Sequence, residues 1–172
     1  MGETFRGPAP LQSSEVILAL ADAAKLWLAH DGLWFQAVER AYGLEAAIAL
    51  DKEAMARFSA IEAKRIVARL GLGEAAGLEG LALSLRHRLY AQLNDQEVTL
   101  EADRVVLRML TCRVQAARER QGLVAFPCRE VGAVEYAEFA RGVDERLKVT
   151  CLSCPPGPRD ARGWCAWEFR LD

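Results

Sequence analysis

No cysteine precedes Cys112 in this chain, and there are only two histidines, His30 and His87, far apart. A histidine-built metal centre or catalytic triad is therefore a poor expectation. No apolar run reaches the ~18 residues that read as a membrane-spanning helix. The opening MGETFRGPAP lacks the apolar stretch of a secretory signal. Arg6 stands where the myristoylation pattern after Gly2 needs Ser or Thr, so a cytoplasmic address is expected. Charge of either sign is not in excess: 22 Lys and Arg face 24 Asp and Glu, a formal net charge of −2. Neither nucleic acid nor an anionic membrane is an expected partner. P-loop, dinucleotide glycine fingerprint and G-x-S-x-G elbow are all missing.

The chain does have an ordinary globular balance, 52% hydrophobic over 172 residues. That length suits one domain able to bury a core without staples. Gly7, Pro8 and Pro10 make residues 1–12 a loose arm, with Ser13 or Ser14 as the cap of the first helix. Val16, Leu20, Ala23 and Trp27 recur at helical spacing and predict that helix over 14–29. Asp31 is read as the cap of a second helix over 32–42, closed by Gly43. Ile48, Met55, Phe58, Ile66 and Leu70 keep to one face of a long third helix over 44–70. After the break at Gly71–Gly77, the stripe Leu78, Leu81, Leu85, Leu89 and Leu93 predicts a fourth helix over 78–93.

Beyond Asn94 the period falls to two, and a hairpin of 96–101 and 104–111 is expected, turning at Ala102-Asp103. Two more helices are expected over 113–121 and 131–146, then strands over 148–152 and 164–171 around a proline-rich loop. The expected fold is α+β: a helical part (13–93) packed with a small antiparallel four-stranded sheet and two inserted helices (94–172).

Five cysteines crowd the last third: Cys112, Cys128, Cys151, Cys154 and Cys165. An odd count in a reducing compartment argues against a disulfide framework. Cys151 and Cys154 form a C-x2-C turn, whose spacing lets two thiolates reach one ion at about 2.3 Å. With Cys128 and Cys165 they complete a four-thiolate structural zinc site, Cys112 being the reserve. Thiolates also hold iron–sulfur clusters, a weaker expectation. Against this stand inert thiols packed as small hydrophobes and a redox dithiol.

His30, Trp34 and Phe35, with Glu135 and Tyr136 near Cys128, are the candidates for lining a small-molecule pocket. Asp31 and the aromatics also read as a cap and core. Glu130, Glu135, Glu138, Asp144 and Glu145 read mainly as a solvated helix face, and His87 as a solvated side chain between Arg86 and Arg88.

The stretches HDGLWFQAVERAYG (30–43), CRVQAAR (112–118), FPCREVGAVEYAEFA (126–140) and CLSCPP…WCAWEF (151–169) resemble a group of small bacterial and archaeal cytosolic proteins. That group is similar in turn to L-2-amino-thiazoline-4-carboxylic acid hydrolase-like proteins and, more distantly, to vinyl-4-reductase-type domains. The resemblance implies an α/β small-molecule-binding module with metal-chelating cysteines. The hydrolase-like relatives imply ring opening of a thiazoline. The leading expectation is a zinc-stabilised ligand-binding or sensor domain for an unknown small molecule. The alternatives are a small-substrate hydrolase and a homodimeric assembly subunit.

Overall fold

The computed structural model describes residues 11–159 and 161–172, so most of the arm expected over 1–12 lies outside the described residues. Five α-helices, one 3-10 turn and four strands make up the described chain. They are α1 (Ser13–Tyr42), α2 (Leu44–Leu70), α3 (Gly77–Leu85), the 3-10 turn Leu89–Gln92, β1 (Gln96–Leu100), β2 (Val105–Met109), α4 (Arg113–Arg120), α5 (Cys128–Val143), β3 (Leu147–Ser153) and β4 (Cys165–Leu171). The architecture is α+β, with helices packed on a small antiparallel sheet. No helix is long and apolar enough to cross a membrane among the described residues.

The two helices expected over 14–29 and 32–42 are one continuous helix. Asp31 caps nothing; it is half-buried inside α1. An isolated Gly32 within a helix costs only about 1 kcal/mol, which packing against α2 outweighs. The cap of α1 is also not Ser13 or Ser14. Gln12 precedes the helix, and its backbone N–H donates to the Glu15 carboxylate at 2.7 Å.

Gly43 alone links α1 to α2, at φ 88°, a backbone value that L side chains rarely adopt. The two helices therefore run back antiparallel. Trp27, sixteen residues before that link, stacks on Phe58, fifteen after it, with ring centroids 5.1 Å apart.

The fourth predicted helix, 78–93, breaks. α3 stops at Leu85, and Arg88 is extended before the 3-10 turn. The helical stripe would keep Arg88 at a helix surface; instead its guanidinium enters the core.

The sheet order is β1-β2-β4-β3, all neighbours antiparallel. β1 and β2 form the expected hairpin, closed by the Glu101 N–H to the Arg104 carbonyl at 2.8 Å. On the covered face Leu107 pairs with Trp167 and Val105 with Phe169. Across the next ladder Val149 pairs with Phe169 and Cys151 with Trp167. α5 lies over this face and contributes Tyr136, Phe139, Ala140 and Val143 to the core, while α2 packs on α5. Burying a large side chain such as Phe139 contributes about 1.5–3 kcal/mol, so this helix–sheet layer is the main apolar stabilisation.

α5 approaches the sheet closely at Gly132, where a Cβ would sit 2.6 Å from Trp167 Cζ2. Trp167 is fully buried and its ring is rigid, so relieving the clash would require the whole ring or α5 to shift. Gly132→Ala is expected to lower stability by about 1–3 kcal/mol in urea denaturation, despite alanine's better helix propensity. An unchanged midpoint would show that the ring yields without cost.

Candidate functional site

α1, α2, α4 and α5, with the 3-10 turn and β4, line a partly open cavity of about 480 Å³. Phe35 of α1, Met55 of α2, Val114 and Ala117 of α4, Val131 of α5 and Trp167 of β4 form its apolar wall. Polar groups come from every side: Asp31 of α1, Asp51 of α2, Tyr90 of the 3-10 turn, and Glu135 and Tyr136 of α5. Three thiols join them, Cys112, Cys128 and Cys165. A partly open, mostly apolar cavity of this size with a few converging polar groups has the form of a small-molecule site.

Of the residues expected to line a pocket, Phe35, Glu135 and Tyr136 do so. His30 and Trp34 do not. Both are exposed, Trp34 at 69%, because the continuous α1 turns them to the outside. α1 also carries Leu18 and Leu26 exposed, and Leu33 exposed at the mouth of the cavity.

The pocket floor rests on a buried ion triad. Arg88, 1% exposed, donates from Nε to Glu62 Oε2 at 2.8 Å and from Nη2 to Glu135 Oε1 at 2.7 Å. Glu62 Oε1 also accepts the Leu89 N–H at 3.0 Å. The rings of Tyr90, Tyr136 and Phe139 surround the guanidinium, with Phe139 nearest at 4.6 Å to its centroid. Burial opposes the Arg88 charge, yet the two glutamates hold its pKa above the ordinary arginine value. Burial pushes Glu135 up, more strongly than Arg88 pulls it down. The acidic run expected as a solvated face is thus split: Glu135 and Asp144 are buried, since α5 turns them toward α2, α3 and the 3-10 turn.

Asp51 and Asp31 are different. Neither makes a hydrogen bond or ion pair within the described residues, and both face the cavity. Burial raises the Asp31 pKa, partly countered by the neighbouring imidazole of His30. Burial, with the like charges of Asp31 and Glu135 nearby, pushes Asp51 up to about 7. Sequence reasoning missed Asp51, Arg88 and Tyr90. The signal was the apolar stripe of α2 itself: Asp51 lies three residues after Ile48 and four before Met55, a charge set into the buried face.

The five cysteines gather around the start of α5. Cys128 is its first residue, Cys112 precedes α4, and Cys151 and Cys165 stand on β3 and β4. Cys154, fully buried, lies just past β3. The Cys128 thiol donates to the Phe126 carbonyl at 3.4 Å, and Cys154 is near enough to Cys128 and Cys151 for each pair to shift one another's protonation. The Gln115 amide donates to Cys128 Sγ at 3.0 Å and also ties the Phe126 backbone to α4 through its other contacts. The contact with Cys154 and the Gln115 amide hold the Cys128 thiol below its ordinary pKa, against burial. The same contact raises Cys154, whose proton it holds. Burial pushes Cys165 up to about 12 and Cys112 up to about 11. Cys128 thus sits at the junction of two sets, the knuckle thiols behind it and the cavity thiols in front. As placed, no three His, Cys, Asp or Glu side chains among the described residues are spaced to hold a metal ion.

The electrostatics of Asp51 predict an unusual pH response. The unfolded chain releases this proton near pH 4, whereas the folded protein keeps it to about pH 7. Between those values the folded state binds more protons, so this group's contribution to stability falls as pH rises. Asp51→Asn is expected to match the parent protein near pH 4 and to be more stable by on the order of 2–4 kcal/mol near pH 8. Urea denaturation at both pH values checks this; equal destabilisation at both would exclude a strained carboxylate.

Comparison with known proteins places these features in a family. No curated protein and no solved structure matches the chain. Residues 10–171 match the profile described as a family of unknown function (DUF6125). With nearly its whole length covered, the chain belongs to that family.

Proposed function

We propose that this protein is a small-molecule-binding domain whose thiol cluster carries a structural zinc. The observation that carries the reading is the 480 Å³ cavity, with carboxylates and phenols from four separate elements turned into an apolar wall. Such groups are costly to bury without partners. A fold built only for stability would fill the space with hydrocarbon. The exposed Leu18 and Leu26 on α1 mark the face that a homodimer would cover.

The pocket is tested by thermal-shift screening of a small-molecule collection against the parent protein and Ala117→Trp, which fills the cavity from α4. A ligand at about one hundred times its Kd adds roughly 2.7 kcal/mol of stability, so true pocket ligands shift the parent melting temperature and leave the variant's unmoved. Compounds that shift both equally count against the pocket.

The zinc reading draws support from the contacts among Cys128, Cys151 and Cys154, with Cys165 close enough to influence both Cys128 and Cys154 electrostatically. Four thiolates would leave no open position on the ion, a structural arrangement. An iron–sulfur cluster would use the same donors and would show as iron and colour. Protein purified without added metal is expected to contain about one zinc per chain, with Cys154→Ser losing both metal and thermal stability. Zinc content unchanged by that substitution would reject the site.

A second reading has one observation in its favour: Cys128 lines the cavity at the start of a 16-residue helix, with an amide donated to its sulfur. That placement suits a nucleophile in a hydrolase acting on a small cyclic substrate of the thiazoline type. The same metal analysis separates the two. Under the zinc reading Cys128 resists iodoacetamide until a chelator strips the ion; under the hydrolase reading it is alkylated at once in metal-free, fully folded protein.

A further inference from the structure

Resting on the pocket reading above, we infer that the ligand is a small organic cation: an ammonium group seated among Asp31, Asp51 and Glu135, with an apolar body against Phe35, Met55 and Trp167.

The charge of the cavity points to this class. The three carboxylates come from three different helices and converge on one space. Asp51 has no partner cation within the described residues, and its electrostatic neighbours Asp31 and Glu135 carry its own sign. Glu135 shares the single charge of Arg88 with Glu62, so the buried triad is one negative charge in excess. Of the basic groups lining the cavity, two are paired with acids outside it. Arg118 is clasped by both oxygens of Glu39 at 2.8 Å, Lys25 pairs with Asp22 at 3.1 Å, and Arg113 Nε donates to the Leu93 carbonyl at 2.8 Å. Arg120 is exposed at the rim.

An independent observation comes from Tyr136. It is 5% exposed, it lines the cavity, and its hydroxyl has no hydrogen-bond partner among the described residues. The hydroxyl is therefore open to whatever occupies the cavity. A ligand N–H group would donate to it, with the hydroxyl as acceptor. The rings of Phe35, Tyr90 and Trp167 also line the cavity, and aromatic quadrupoles attract positive charge. A neutral ligand would leave the carboxylates repelling one another. An anion would add to the repulsion.

The test is isothermal titration calorimetry near pH 8 on the full chain as purified, with three probes of one shape: 2-phenylethylamine, 2-phenylethanol and 3-phenylpropanoate. The amine is expected to bind at least about tenfold more tightly than the alcohol, a difference of about 1.4 kcal/mol, and the carboxylate not at all. Asp51→Asn and Asp31→Asn should each weaken the amine by about tenfold and leave the alcohol within about twofold. Circular dichroism melting confirms that both variants are folded. Equal binding of all three probes overturns the cation inference and leaves the pocket reading standing. Tightest binding by the carboxylate overturns it in favour of the rim arginine. Heat from none of the three, in a protein whose melting temperature none of them moves, overturns both.

Discussion

The buried guanidinium of Arg88 is the constraint on which the rest of the structure depends. It bridges Glu62 of α2 and Glu135 of α5 across the helical layer, and reaching them forces the chain out of helix after Leu85. A helix continuing through residue 88 would carry this side chain along a helix surface. The break also places Tyr90 against Trp27, so α1 is held to the same junction by an edge-on ring contact at 5.1 Å. Removing one partner from such a network leaves an uncompensated buried charge, a loss of about 3–5 kcal/mol. One residue thereby sets the spacing of α1, α2 and α5, and with it the size of the cavity between them.

The cavity is assembled from residues that work against stability. Asp51 and Glu62 both interrupt the apolar stripe of α2. Glu62 is matched by Arg88, whereas Asp51 is left facing two other acids. A buried carboxylate without a partner, as at Asp51, costs stability, and folds keep such groups chiefly where function requires them. The pair also separates two roles within one helix. A charge satisfied by protein holds the scaffold, and a charge left open awaits something from outside it.

The thiols and the cavity share a boundary at Cys128. The β-bulge between Cys151 and Ser153 and the turn after it bring Cys154 under the start of α5. Gln115 fastens the loop before α5 by accepting the Phe126 N–H at 3.0 Å and donating to its carbonyl at 2.8 Å. Arg118 ties the same segment to α1 through Glu39 and the Val124 carbonyl. Any group bound by the thiols therefore acts directly on the wall of the pocket, since Cys128 belongs to both.

Periodicity in the sequence determined most of the elements. The alternation at Val98–Leu100 and the apolar stripe of α2 depend on local side-chain spacing, and the four strands, α2 and the spans near α4 and α5 were legible locally; α1 was read as two helices and the helix expected over 78–93 breaks at Leu85. The crowding of cysteines after residue 112 is also plain in the sequence, and Cys151 and Cys165 stand on the neighbouring strands β3 and β4. Tertiary structure alone decided the rest. Asp31 reads locally as a cap and lies inside a helix, because packing against α2 outweighs a weak local signal. Arg88 follows a histidine read as solvated and drew no reading of its own, and Glu135 stands in a run read mainly as a solvated face; they are buried together, because each makes the other's burial tolerable. A charge at one position cannot report the opposite charge that will meet it 47 residues later, and that meeting is what makes the pocket.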